Sequence, residues 1–133
     1  METWPSNLAL VTPLAIALGA ILGALSRYYL IGLISRWLGS RFPYGTLAIN
    51  LLGTFLMGWF TALGLAHVTS PGMQTLLTTG FVGSYTTFST YALNTASLAR
   101  SHGQAIAFAY WAGSAIGGGL CLAAGLIVGQ KLT

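Results

Sequence analysis

From Pro71 to Ala99 the chain carries no charged side chain. Such a run is long enough to cross a bilayer, yet its middle is not built like a lipid-facing span. Residues Gly80 to Asn94 read Gly-Phe-Val-Gly-Ser-Tyr-Thr-Thr-Phe-Ser-Thr-Tyr-Ala-Leu-Asn. Polar groups at membrane depth are costly unless they are paired or face a water-filled path. Gly80 and Gly83 weaken a helix just ahead of the hydroxyl cluster. The segment therefore predicts a third helix broken near Gly80–Thr86. The freed carbonyls of such a break can hold a cation, and the hydroxyls around it point to an ion pathway.

Composition sets the class. Only 5% of the 133 residues are charged and 55% are hydrophobic, against roughly 25% charged in soluble domains. This is the composition of an all-α integral membrane protein. The net charge of +4 rests on five Lys and Arg against one acid, with no basic stripe for nucleic acid. A lone cysteine, Cys121, excludes an intrachain disulfide. The first residues lack the positive region of a cleaved signal peptide, so the apolar run after them is expected to stay in the mature protein.

The one acidic residue is Glu2, outside every expected span. A proton-coupled multidrug antiporter needs a membrane-embedded carboxylate or an equivalent proton carrier, and a cation channel with an acidic ring needs its acids. An anion pathway loses nothing from their absence. No acid–base pair or activated nucleophile is visible, so the chain reads as a non-enzyme. His67 and His102 lie at loop edges without companion ligands for a metal.

Four helices are expected over approximately residues 8–35, 43–66, 71–99 and 103–130, in a single membrane domain covering 1–133. Gly19 and Gly23 form a Gly-x-x-x-Gly pair on the first, and Arg27 follows one turn later. Arg27 reads either as a charge snorkelling from a helix end or as the lining of a vestibule that attracts anions. Trp37 suits an interfacial anchor. Thr46, Asn50, Gly53 and Met57 share one face of the second helix. Asn50 reads either as an interhelical hydrogen bond or as an amide donor to a passing anion. Ser84, Phe88 and Tyr91 fall at i, i+4 and i+7 on the third. The glycines from Gly113 to Gly129 make the fourth a packing surface. Four helices form a thin bundle that shields a polar path poorly, which argues for an oligomer.

Three motifs in order carry a resemblance. They are Gly19-Ala-Ile-Leu-Gly23-Ala-Leu-Ser-Arg27-Tyr28, then Phe42-Pro43-Tyr44-Gly45-Thr46-Leu47-Ala48-Ile49-Asn50 with Gly53 and Gly58 beyond it, then Gly80-Phe-Val-Gly83-Ser-Tyr-Thr86-Thr87-Phe88-Ser89-Thr90. Along nearly its whole length the chain resembles the CrcB/Fluc fluoride channels. The resemblance implies an antiparallel dimer in a bacterial inner or plasma membrane, surrounded by lipid, with two fluoride pores along its interface. It implies a structural sodium ion held by backbone carbonyls of Gly83 and Thr86 from both chains. It implies a fluoride pathway through Arg27, Thr46, Asn50, Phe88, Ser89, Tyr91, Tyr110 and Ser114. The chain departs from the family at position 91, Tyr where Phe is usual, and at position 94, Asn where Glu is frequent.

The chemistry of those residues is consistent with that implication. Fluoride is small and strongly hydrated, so a selective path must replace water with close donors, which Ser, Thr and Asn supply. Ring edges are electropositive and can face an anion. Alternatives to a self-paired channel are half of a heterodimer with an oppositely oriented paralogue, a non-conducting membrane scaffold, and a small multidrug exporter. The heterodimer reading rests on charge placement. Arg36, Arg41 and Arg100 fall at one end of the expected bundle and Lys131 at the other, a bias that orients a chain.

Overall fold

The computed structural model describes residues 6–133, with side-chain environments from Leu10 onward. Glu2 and most of the segment read above for a signal peptide lie outside them. The described chain is helical almost throughout. Helix α1 spans Ser6–Leu38 and α2 spans Tyr44–Leu65. Helix α3 runs from Pro71–Thr75 through a π-helical stretch, Leu76–Val82, into the turn Gly83–Tyr85. Helix α4 spans Phe88–Ser101 and α5 spans Gln104–Leu132.

Length and composition make α1, α2 and α5 continuous membrane spans. At 33 residues, α1 is about 50 Å long, well beyond the roughly 30 Å hydrocarbon core. Its excess carries Arg36 and Trp37, and Trp37 is 82% exposed, as an interfacial anchor would be. The third expected span, 71–99, is interrupted, as the break expected near Gly80–Thr86 implies. It is made of two half-helices of fifteen and fourteen residues, α3 and α4. Neither alone reaches the ~20 residues that a helical span needs.

The break lies beyond the glycines that predicted it. Gly83 keeps helical backbone, φ −59 and ψ −33. The extended residues are Thr86 (φ −82, ψ 160) and Thr87 (φ −147, ψ 120). Both are β-branched, which suits extended backbone. Because of this break, Ser84 does not share a helical face with Phe88 and Tyr91. Gly80 serves packing instead: a Cβ there would lie 2.8 Å from the Ile16 carbonyl oxygen.

Glycine contacts hold the bundle together, because lipid offers no hydrophobic drive for helices to associate and close backbone approach takes its place. A Cβ on Gly19 would overlap the Leu76 carbonyl, and one on Gly23 the Phe81 carbonyl. The Gly-x-x-x-Gly face of α1 thus seats the π-helical stretch of α3. Helices α2 and α5 interlock in the same way, Gly58 against the Leu122 carbonyl and Gly125 against that of Phe55. The glycine run of α5 is divided in function. Gly125 and Gly129 pack on α2, while Gly113 and Gly119 meet nothing within 4 Å.

The turns fix which ends lie together. Gly39 and Gly103, at φ 81 and 96, adopt left-handed backbone that glycine tolerates. The loop between α1 and α2 meets the turn between α4 and α5, since Phe42 packs on Tyr91, Leu98, Ala107 and Tyr110. At the other end the Gln74 side chain donates to the Phe60 carbonyl at 2.9 Å and accepts from Thr69 at 2.8 Å. That staple ties the α2–α3 turn to the end of α2.

Candidate functional site: the break between α3 and α4

A broken helix leaves backbone groups without intrahelical partners, and in a membrane each must be satisfied from elsewhere. Here neighbouring helices reach three backbone groups at the break, the amide and carbonyl of Thr87 and the carbonyl of Thr86. The Asn50 carboxamide, on α2, accepts from the Thr87 amide at 2.9 Å and donates to the Thr87 carbonyl at 3.0 Å. Arg27, on α1, donates to the Thr86 carbonyl at 3.3 Å. The Thr87 hydroxyl accepts from the Thr90 amide at 3.3 Å and caps α4.

The two half-helices present opposite partial charges to the break. The carboxyl end of α3 carries unsatisfied carbonyls, and the amino end of α4 carries unsatisfied amides. Carbonyls suit a cation and amides suit an anion.

Polar side chains continue from the break along α4 and α5. Asn94 donates to the Thr46 hydroxyl at 3.0 Å, and Thr46 is 4% exposed. The Tyr91 hydroxyl donates to the Trp111 carbonyl at 2.7 Å. Tyr110 is buried, its ring 5.6 Å from those of both Tyr91 and Phe42. Among the described residues the hydroxyls of Tyr85, Tyr110 and Ser114 are buried with no hydrogen-bond partner.

Two grooves meet at this site. The first, about 670 Å³, runs past Asn50, Thr86, Thr87 and Ser114. The second, about 510 Å³, continues along α4 and α5 past Thr95 and Gln104. Phe88, Tyr91 and Trp111 line both, so an aromatic cluster stands where one passes into the other. Phe88 is 79% exposed and its ring lies 5.7 Å from that of Tyr91. Ser89 is exposed in the first turn of α4.

The residues singled out in the sequence therefore separate into groups. Asn50, Thr86, Phe88, Tyr91 and Ser114 line the first groove. Arg27 is drawn to the break by Thr86. Thr46 and Tyr110 sit deeper, in the layer that Asn94 and Phe42 reach. Sequence reasoning missed the backbone of Thr87 as an anchor and the Trp111 carbonyl as an acceptor. The first was signalled by two adjacent β-branched residues followed by a Thr87–Thr90 cap spacing. The second had no signal, because a backbone carbonyl in mid-helix looks the same at every residue.

Comparison with known proteins decides the family. Residues 14–126 match the family described as CrcB-like protein, Camphor Resistance (CrcB). A relative from Trichormus variabilis, named fluoride-specific ion channel FluC, is 49% identical over 120 residues, 89% of this chain and 88% of its own length. One from a Synechococcus species with the same name is 46% identical over 92% of this chain and 95% of its own. Another, from Acidobacterium capsulatum, is 44% identical over 88% and 94%. This chain belongs to the CrcB family. As a CrcB-family protein it is a multi-pass membrane protein, and it is not an enzyme. Tyr91 and Asn94, the two positions read above as departures from the resemblance, both have hydrogen-bond partners inside the chain.

Proposed function

We propose that this CrcB-family chain is a passive, fluoride-selective channel that exports cytoplasmic fluoride. The observation that carries the reading is the pair of grooves meeting at Phe88, Tyr91 and Trp111. Their lining supplies neutral donors and ring edges, with no acidic side chain among the described residues. Fluoride can shed water only where donors replace it, and a fixed carboxylate would repel it. Passive flow suffices for export, because fluoride that enters as the neutral acid ionises in a cytoplasm near neutral pH.

The channel works as an antiparallel pair of chains with two pores along the interface. The first groove is open along one side and borders the exposed Phe88 ring. A second copy laid against that side would close it. The pathway runs through Thr46, Asn50, Phe88, Ser89, Tyr91, Tyr110 and Ser114, with Arg27 as the positive charge near mid-depth. The buried hydroxyls of Tyr110 and Ser114, lacking partners within the chain, are suited to donate to the ion or to its water.

A structural sodium at the centre of the pair fits the break. The amide that would close an α-turn onto the Gly83 carbonyl belongs to Thr87, and it donates to Asn50. The Thr86 carbonyl accepts from Arg27 and keeps a second lone pair. Hard cations take several oxygen ligands, so two carbonyls from one chain make half a site and a second copy supplies the rest. The ion would neutralise the carbonyl ends of two α3 helices brought together.

Fluoride efflux from liposomes containing only the purified chain tests this reading, with chloride efflux as the control. Fast fluoride release without chloride release is the expected result. A second reading keeps the pore but replaces the partner with an oppositely oriented paralogue. It rests on Arg36, Arg41 and Arg100, which lie toward the end where Phe42 meets α5. A folded sample that releases no fluoride alone, but does so with the paralogue, would favour the second reading.

A further inference from the structure

The sequence offers Asn50 as a helix fastener or as an ion donor. The geometry points to a third role: we infer that Asn50 is the positioning residue that holds the Gly83 carbonyl available to a cation. The inference rests on the sodium reading proposed above and goes beyond it by assigning what keeps the site open.

The argument starts from the register of the break. In an unbroken α-helix the Thr87 amide would donate to the Gly83 carbonyl, four residues earlier. The helix up to that point is intact, since the Thr86 amide donates to the Val82 carbonyl at 3.0 Å and Gly83 itself has helical dihedrals. The Thr87 amide is the first to leave the ladder, and the amides of Phe88 to Thr90 follow it as α4 starts afresh. Asn50 takes that amide with its Oδ1 at 2.9 Å and donates its Nδ2 to the carbonyl of the same residue at 3.0 Å. A carboxamide has one acceptor oxygen and two N–H donors. Asn50 therefore satisfies both backbone groups of Thr87 and keeps one N–H, on a side chain that also lines the groove. Among the described residues Asn50 alone takes the Thr87 amide: Arg27 acts on Thr86, and the Thr87 hydroxyl serves α4.

An unsatisfied amide at membrane depth seeks the nearest acceptor. Without Asn50 that amide is free to return to its helical acceptor, the Gly83 carbonyl, if Thr86 leaves its extended conformation, and the ligand is then lost to an ordinary helical turn. Aspartate at position 50 keeps an acceptor for the Thr87 amide, while it gives up the donor to the Thr87 carbonyl and adds a negative charge. The two substitutions thus part company on cation binding although both disturb the pathway.

The test is the sodium dependence of thermal unfolding of the purified full-length chain in detergent. Melting temperatures are compared in sodium chloride and in N-methyl-D-glucamine chloride at equal ionic strength. A ligand that binds the folded state raises the melting temperature. The expected result is a sodium-dependent rise in the parent chain, its loss in Asn50→Leu and its persistence in Asn50→Asp. A full rise in Asn50→Leu, or its loss in Asn50→Asp, would overturn the role of Asn50 and leave the sodium reading standing. No rise in the parent chain would overturn the sodium reading and this inference together. If Asn50→Leu does not fold, Asn50→Ala removes the same acceptor with less bulk, and a full sodium-dependent rise in that variant overturns the role.

Discussion

The Tyr91 hydroxyl donates to the Trp111 carbonyl across the α4–α5 contact, at 2.7 Å. The side chain is 8% exposed, so this bond holds the ring in place between Phe88 and Tyr110. The hydroxyl that distinguishes position 91 from the phenylalanine usual in the family is thereby spent inside the protein. Its proton is not directed at a passing ion.

Tyr91→Phe is accordingly expected to keep fluoride conduction. The lost bond should lower stability by about 0.6 kcal/mol, the average for interhelical hydrogen bonds measured in membranes. Flux from liposomes and unfolding in denaturing detergent read the two effects separately. Complete loss of conduction would mean that the hydroxyl belongs to the pathway.

Asn50→Asp is expected to suppress fluoride flux, because it places a negative charge in the lining of the groove, among apolar helices where the effective dielectric is low. Unchanged flux in that variant would remove Asn50 from the pathway.

Gly23→Val should destabilise the bundle by about 1–3 kcal/mol, the range for overpacking. The added atoms would meet the Phe81 carbonyl and the Tyr85 amide, which are backbone and cannot swing aside. The same substitution at Gly119, where nothing lies within 4 Å, should leave the folding of the single chain nearly unchanged. Equal losses at both sites would contradict the assignment of Gly23 to the α1–α3 contact.

Thr87→Val keeps the β-branched shape and removes the cap of α4. About 1 kcal/mol of stability should be lost, as for other N-caps, while the backbone clamp by Asn50 remains. A chemical unfolding curve measures this, and a neutral result would show that the α4 amino end is satisfied without the hydroxyl.

The all-helical class and the membrane setting were legible because charge is so scarce and apolar runs so long. The existence of a break was legible too, and its place to the stretch Gly80–Thr86, at whose far end it opens. Glycine marks where a helix is weak, whereas the chain opens where neighbours can satisfy what the break exposes. Asn50 and Arg27 reach Thr86 and Thr87, and the chain opens there. Periodicity failed for the same reason at Ser84, since counting by 3.6 presumes a continuous helix. The glycines of α5 looked alike in sequence. Only the approach of α2 separates Gly125, in contact, from Gly113, facing open space.

The open side of the first groove has a consequence for the cell that makes this protein. In the pairing proposed above, a solitary chain would offer an ion half a wall, so newly inserted copies drifting in the membrane would not short-circuit it. Conductance would then count pairs rather than chains. While chains are sparse, doubling their number quadruples the pairs, and fluoride tolerance should rise more steeply than expression.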